Sequence, residues 1–125
     1  MTVGKILVTP RSVTRDGHPA LARLEEAGYE LVFTTPGALP GEDELLELLP
    51  GCVGYLAGVE EISSRVLDAA AGLKVISRNG TGVDSVDLGA ADRNGIQVLR
   101  AAGANARGVA ELTMGHIIAV IRSIP

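Results

Sequence analysis

The chain has 125 residues, 46% of them hydrophobic and 21% charged, enough to bury a core in one folded unit. A net charge of −4 argues against a non-specific nucleic-acid binder, and 2% aromatics with no Trp argue against a stacking platform for bases or a flavin ring. The one cysteine, Cys52, excludes an internal disulfide and, beside the apolar run Val53–Ala57, reads as a buried, inert thiol.

The opening MTVGKILVTP passes straight into a strand-like run with no signal peptide. Runs rich in Val, Ile and Leu recur at Lys5–Thr9, Tyr29–Thr34, Val53–Ala57, Lys74–Ser77 and Ile96–Leu99. Each is short and mostly apolar rather than alternating, as expected for strands covered on both faces. Helical patterns separate them. His18–Ala27 places Leu21, Leu24 and Ala27 three residues apart, with Pro19 in the first turn and Gly28 just past the end. Glu42–Leu49 is stopped by Pro50-Gly51, and Ile62–Ala71 by Gly72. Leu88–Asn94 has Asp87 as an N-cap and Gly95 at its close. Alternating strands and helices with short connections predict an α/β fold: a flavodoxin-like three-layer sandwich around a five-stranded parallel sheet, in the order 2-1-3-4-5.

After Leu99 the character changes. Arg100–Gly108 is small and flexible, and Val109–Ile124 reads as one long helix ended by Pro125. That helix is apolar nearly all round, so wide burial is expected, its second face against another domain or another subunit. Its longest apolar stretch, near Ile117–Ile121, is far short of the roughly 20 residues of a membrane span. A cytoplasmic protein is the expectation. The chain stops at Pro125 with no polar tail, like a piece of a longer protein.

The rest of the chain is organised around Leu73–Asp87, LKVISRNGTGVDSVD. An apolar run ends at Arg78 and enters a glycine-rich turn before a helical pattern. Such a turn exposes backbone N–H groups beside a helix N-terminus, which suits an anion. Gly80 and Gly82 fit the first two positions of a GxGxxG dinucleotide fingerprint, but Ser85 stands at the third, and Arg100 lies near the place of the expected acidic residue. The better functional reading is a small-anion site, with the N–H groups around Thr81–Val83 holding a carboxylate and Arg78 adding charge and directional donors. The bland alternative is glycines that only permit a tight turn. Asn105 reads either as the N-cap of the last helix or as an amide aimed into the same cleft. Both loops follow strands, at the C-terminal edge of the sheet where ligands of such sheets bind.

Other candidates are weaker. Thr9-Pro10-Arg11-Ser12 lies at the same edge, but suits neither a flavin-phosphate loop nor a phospho-receiver site, and Arg11 reads as a solvated cation. His18 and His116 have no metal-spaced partner, since Glu111 and His116 are five residues apart and do not share a helix face. Glu111 reads as a surface charge or an interdomain contact. No Ser or Cys stands in a nucleophile elbow, so the residues present a binding surface with no evident acid–base group.

The stretch LKVISRNGTGVDSVDLGAADRNGIQV, followed by GANARGVAELTMG, resembles the D-isomer-specific 2-hydroxyacid dehydrogenases, and most of all their D-3-phosphoglycerate dehydrogenase-like members. The opening VTPRSVTRDG and LAGVEEI fit the same group. The resemblance implies a substrate-binding domain over residues 1–100 and, over 101–125, a crossover loop and the first helix of a Rossmann domain for NAD. It implies that the C-terminus of such a protein returns to the first domain. It implies that Arg78, Thr81 and Gly82 contact the substrate carboxylate and that Asn105 reaches the substrate from the crossover. It implies a homodimer through Val109–Ile124. The reaction implied is hydride transfer between the C2 of a D-2-hydroxy acid and nicotinamide. The family's Arg, Glu and His for that step, and its GxGxxG, match no residue of this chain. Ala57-Gly58 stands where many phosphoglycerate-acting members carry a basic residue, and Ala101-Ala102 where the crossover usually has Thr-Pro. The partner implied is therefore a small 2-hydroxy or 2-oxo acid, 3-phosphoglycerate being one candidate, with neither nucleic acid nor membrane. The competing hypothesis is a stand-alone flavodoxin-like module that binds a small carboxylate without catalysis.

Overall fold

A computed structural model describes residues 2–125. The elements in chain order are β1 (Gly4–Val8), α1 (Arg11–Asp16), a 3-10 turn (Pro19–Leu21), α2 (Ala22–Glu26), β2 (Tyr29–Phe33), α3 (Glu42–Leu48), β3 (Cys52–Ala57), α4 (Ser64–Ala69), β4 (Val75–Arg78), α5 (Leu88–Arg93), β5 (Gln97–Arg100) and α6 (Ala106–Ile121). The five strands form one sheet in the order β2-β1-β3-β4-β5, with every pair parallel. The expected α/β architecture and strand order are both present.

Strand order and handedness place the helices. Right-handed crossovers put the β1-to-β2 connection on one face and the connections leading to β3, β4 and β5 on the other. Accordingly α3 packs on α4, and α4 on α5, while α2 packs on β2. The core lies under the α3–α4–α5 layer. Leu7, Tyr55 and Ile76 stand in register across three strands and are fully buried there, joined by Leu45, Leu67 and Ala90 from the helices. A register shift between Lys5 and Ile6 lets Cys52 share that face with Tyr55.

The opposite face departs from expectation. The apolar runs suggested cover on both sides, but only α1 and the 3-10–α2 segment lie there. Val53, Leu56 and Val75 are half-buried, and Ser77 and Leu99 exposed. The alternation of burial along β4 and β5 is that of a sheet covered on one side.

Local chemistry explains the other differences. Arg11–Asp16 is a short helix that no helical pattern in the sequence announced; it follows Pro10 at the N-cap. His18–Ala27 is not one helix but a 3-10 turn, capped by His18 Nδ1 accepting from the N–H of Ala20 at 3.1 Å, followed by α2. The long helix begins three residues earlier than expected, at Ala106, and ends at Ile121. Instead of being widely buried, it is exposed along almost its whole length.

Candidate functional site

The segment after β4 is longer and less helix-bound than its glycines suggested. Arg78 is the last residue of the strand, and α5 begins only at Leu88. The intervening loop is pinned at both ends. The Asn79 N–H donates to the Ala57 carbonyl at 2.8 Å, and the Ala101 N–H to the Gly80 carbonyl at 2.9 Å. Farther on, Ile62 and Val86 form an isolated parallel bridge, with the Ile62 N–H donating to the Ser85 carbonyl at 2.7 Å and the Asp87 N–H to the Ile62 carbonyl at 3.0 Å. The expected helix N-terminus is already occupied: Asp87 Oδ1 accepts from the Ala90 N–H at 2.8 Å. Any anion at this loop is therefore held by loop amides, not by the end of α5.

Those amides are free. Among the described residues, the N–H groups of Thr81, Gly82 and Val83 donate no hydrogen bond within the protein. All three residues are only half-buried. Neither Gly80 nor Gly82 has a positive φ, so turn geometry does not demand glycine at either. At Gly80 an added Cβ would lie 2.8 Å from Arg78 Nη1, so the flexible guanidinium would have to move. At Gly82 an added Cβ would meet only Asp84 Oδ2, at an ordinary 3.4 Å. Nothing inside the protein requires Gly82; its bare Cα leaves the amide approachable from outside. The guanidinium of Arg78 folds back on the same loop, with Nη1 donating to the Asn79 carbonyl at 3.0 Å and a buried Nε that has no partner. Arg100 Nη1 reaches the Thr81 carbonyl at 3.4 Å. Successive unpaired N–H groups with a guanidinium beside them can hold a small anion.

Arg78, Thr81 and Gly82 thus share one loop. Asn105 is not bonded to it. It occupies the N-cap position of α6, but its side chain makes no capping hydrogen bond, and it is exposed four residues beyond the Ala101–Gly80 tie.

Beside the loop is a cleft of about 440 Å³ lined by Pro10, Arg11, Ser12, Gly58, Glu60 and Asn79, among others. Glu60 is buried at 2% exposure, and no reading of the sequence singled it out. Its Oε1 accepts from the Thr9 hydroxyl, the Tyr55 hydroxyl at 2.7 Å and the Gly58 N–H at 3.1 Å. Burial, and then the Glu60 carboxylate, push the Tyr55 phenol far above its ordinary pKa, so it stays a donor. The available signal was an acidic residue three positions past an apolar strand, at the ligand-binding edge of a parallel sheet. A second cleft of about 420 Å³, lined by Val13, His18, Leu21, Leu56 and Asn79, is bordered by α1, the 3-10–α2 segment and β3.

Elsewhere the side chains are quiet. Cys52 is buried, its thiol donates to the Leu48 carbonyl at 3.4 Å, and burial raises its pKa. Among the described residues, no three His, Cys, Asp or Glu side chains are grouped to hold a metal ion, and no helix is long and apolar enough to cross a membrane. The residues present do not fit a dinucleotide either. Gly80 and Gly82 are separated from α5 by five residues or more, and the Asp87 carboxylate sits where a pyrophosphate would need bare N–H groups.

A five-stranded parallel sheet with helices, its C-terminal edge carrying free amides, an arginine and a buried carboxylate, defines the α/β class of domain. The chain belongs to the D-isomer specific 2-hydroxyacid dehydrogenase family, whose catalytic-domain model matches residues 8–118. It is 42% identical over 85 residues to the D-3-phosphoglycerate dehydrogenase of Sus scrofa, covering 67% of this chain and 16% of that protein. It is 39% identical over 106 residues to the D-3-phosphoglycerate dehydrogenase of Methanocaldococcus jannaschii, covering 85% of this chain and 20% of that protein. Among solved structures, the TT0316 protein from Thermus thermophilus superposes with a TM-score of 0.84 at 37% identity, over 96% of this chain and 37% of that one. The chain thus spans a fifth or less of these two curated relatives.

Proposed function

We propose that this chain is the substrate-binding part of an oxidoreductase that acts on the CH–OH group of a small D-2-hydroxy acid. Residues 1–100 are the substrate domain, and 101–125 the crossover and first helix of a domain that binds NAD. The acid's carboxylate lies on the N–H groups of Thr81, Gly82 and Val83, Arg78 supplies the charge, and Asn105 reaches the acid from the crossover when the second domain is in place. The observation that carries the reading is the run of amides without internal partners at Thr81–Val83, in a loop whose Gly82 nothing internal requires. The family and its D-3-phosphoglycerate dehydrogenase relatives support the reaction class. An NAD-bound 3-phosphoglycerate dehydrogenase from Entamoeba histolytica, 26% identical with a TM-score of 0.75, supports the cofactor. Because this chain's own residues do not fit the dinucleotide, cofactor binding and the redox step fall to another part of the protein. We further propose a cytoplasmic homodimer joined through the segment Val109–Ile124, most of which lies in α6.

The test is a titration of the ¹⁵N-labelled chain with D-glycerate. The Thr81, Gly82 and Val83 amides are expected to shift, and Arg78→Ala to weaken binding by about tenfold or more, the loss of a charge-assisted hydrogen bond. Unmoved amides would return the loop to a purely structural role. The chain alone, given NADH and a 2-oxo acid, is expected to show no turnover.

A further inference from the structure

We infer that Glu60 sets which acid the cleft accepts: its carboxylate selects a ligand whose end away from the C1 carboxylate bears a hydroxyl, and rejects one that bears a phosphate. This rests on the reading of Arg78–Val83 as the carboxylate loop.

The two oxygens of Glu60 are treated very differently. Oε1 takes donors from Thr9, Tyr55 and Gly58, whereas Oε2 is equally buried and accepts nothing. A carboxylate kept only to tie loops together would have both oxygens satisfied, since a buried acceptor without a partner is costly. No cation compensates: among the described residues, no Lys, Arg or His lies within ion-pairing distance of Glu60, and the guanidinium of nearby Arg15 is taken by Asp16 at 2.8 Å.

The position of Oε2 is fixed by the backbone around it. A Cβ added at Gly58 would lie 2.7 Å from Oε2 and 3.2 Å from the Cα of Pro10. The absent side chain at position 58 is what lets the carboxylate occupy that space. Gly58, Pro10 and Glu60 line the same cleft, and so does Asn79, the first residue of the carboxylate loop. Ala57 and Arg78 are register partners on neighbouring strands, so the Gly58–Glu60 turn and the Arg78–Val83 loop leave the sheet side by side, about 4.8 Å apart. A three-carbon acid held at the loop by its carboxylate can turn its far end toward Glu60. A hydroxyl there supplies the donor that Oε2 lacks. A phosphate there sets like charges together away from bulk water, which opposes binding.

The test compares D-glycerate with 3-phospho-D-glycerate, titrated into the ¹⁵N-labelled 125-residue chain and followed at the amides of Val59 and Thr81–Val83. The expected result is that D-glycerate moves both sets of amides and binds at least about tenfold more tightly than its phosphate ester. In Glu60→Gln, which keeps the shape and replaces the charge, that preference should shrink by about tenfold. Equal or tighter binding of the phosphate ester by the unaltered chain overturns the inference, and this comparison needs no variant to fold. An unchanged preference in a folded Glu60→Gln chain also overturns it. Failure of both acids to move Thr81–Val83 has a different signature: it overturns the carboxylate-loop reading and the Glu60 inference with it.

Discussion

Arg78 and Gly80 are sterically coupled. The Arg78 guanidinium lies across the bare Cα of Gly80, so that a Cβ there would stand 2.8 Å from Nη1 and 3.2 Å from Cζ. The obstructed atoms are the far end of a flexible side chain rather than backbone. Gly80→Ala should therefore leave the fold intact, changing the unfolding free energy by about 0.5 kcal/mol or less, while it moves the arginine off the loop. The expected outcome is an unchanged thermal midpoint with weaker D-glycerate binding, approaching that of Arg78→Ala. Parallel calorimetric melts and ligand titrations check it; binding equal to that of the unaltered chain would detach Arg78 from the ligand.

This coupling also marks the limit of what the sequence revealed. Strand order, the helices α3, α4 and α5 and the Asp87 cap were legible, because apolar periodicity and capping chemistry are local signals. Arg78, Thr81 and Gly82 were legible as one loop for the same reason. Glu60 was not, because its meaning depends on Thr9, 51 residues away along the chain, and on Tyr55 across the core. The exposure of α6 was also hidden. Its composition declares an apolar helix but is silent on whether the cover lies within these 125 residues. Likewise the apolar β4 and β5 runs pointed to two covered faces, where the chain itself covers only one.

Tyr55 is one of the three donors to Glu60 Oε1, so Tyr55→Phe tests the network directly. Losing the phenol leaves Oε1 with only its Thr9 and Gly58 donors. The cost should be about 1–2 kcal/mol in urea denaturation at neutral pH. The pH dependence gives a second readout. Burial and Glu60 raise the phenol's folded pKa above its unfolded value near 10. The folded state therefore holds the proton more tightly. That contribution is fully present below about pH 10 and is lost as pH rises further. The difference in stability between the unaltered chain and Tyr55→Phe should be flat from neutrality to about pH 9 and narrow above about pH 10.

Glu42 provides an acid-side counterpart at the opening of α3. Its carboxylate accepts from the Ser63 hydroxyl through Oε1 and pairs with Arg65 Nη1 at 3.0 Å through Oε2. Ser63 in turn caps α4 by accepting from the Val66 N–H at 3.4 Å. The Ser63 hydrogen bond first, and Arg65 second, hold the Glu42 pKa below its ordinary value. A depressed folded pKa means that the stabilisation exists above the ordinary carboxylate range and fades as pH falls through the folded value. Glu42→Gln should thus lower the thermal midpoint slightly at neutral pH, and the gap should close as the solution is acidified below about pH 4. Because the group is exposed, the gap should also shrink in high salt. A gap unaffected by either would assign the effect to α3 itself rather than to the charge.

The last prediction concerns α6. Leu112 is 62% exposed, Ile117 47%, Ile118 51% and Ile121 73%, a density of open aliphatic surface that soluble monomers rarely carry. Ile117, Ile118 and Ile121 lie within about 100° of one another around the helix, and Leu112 lies on the opposite side. Each contacted Å² of apolar surface contributes about 25 cal/mol, which works against the entropic cost of bringing two chains together. The 125-residue chain is expected to associate reversibly, with a weight-average mass that rises with concentration in sedimentation equilibrium. Leu112→Asp and Ile121→Asp place one charge on each side. At least one of them should return the chain to monomer, and neither should alter the far-ultraviolet circular dichroism or the melting of the sheet, because neither side chain belongs to the core. A chain that stays monomeric up to millimolar concentration would remove self-association as the role of this helix.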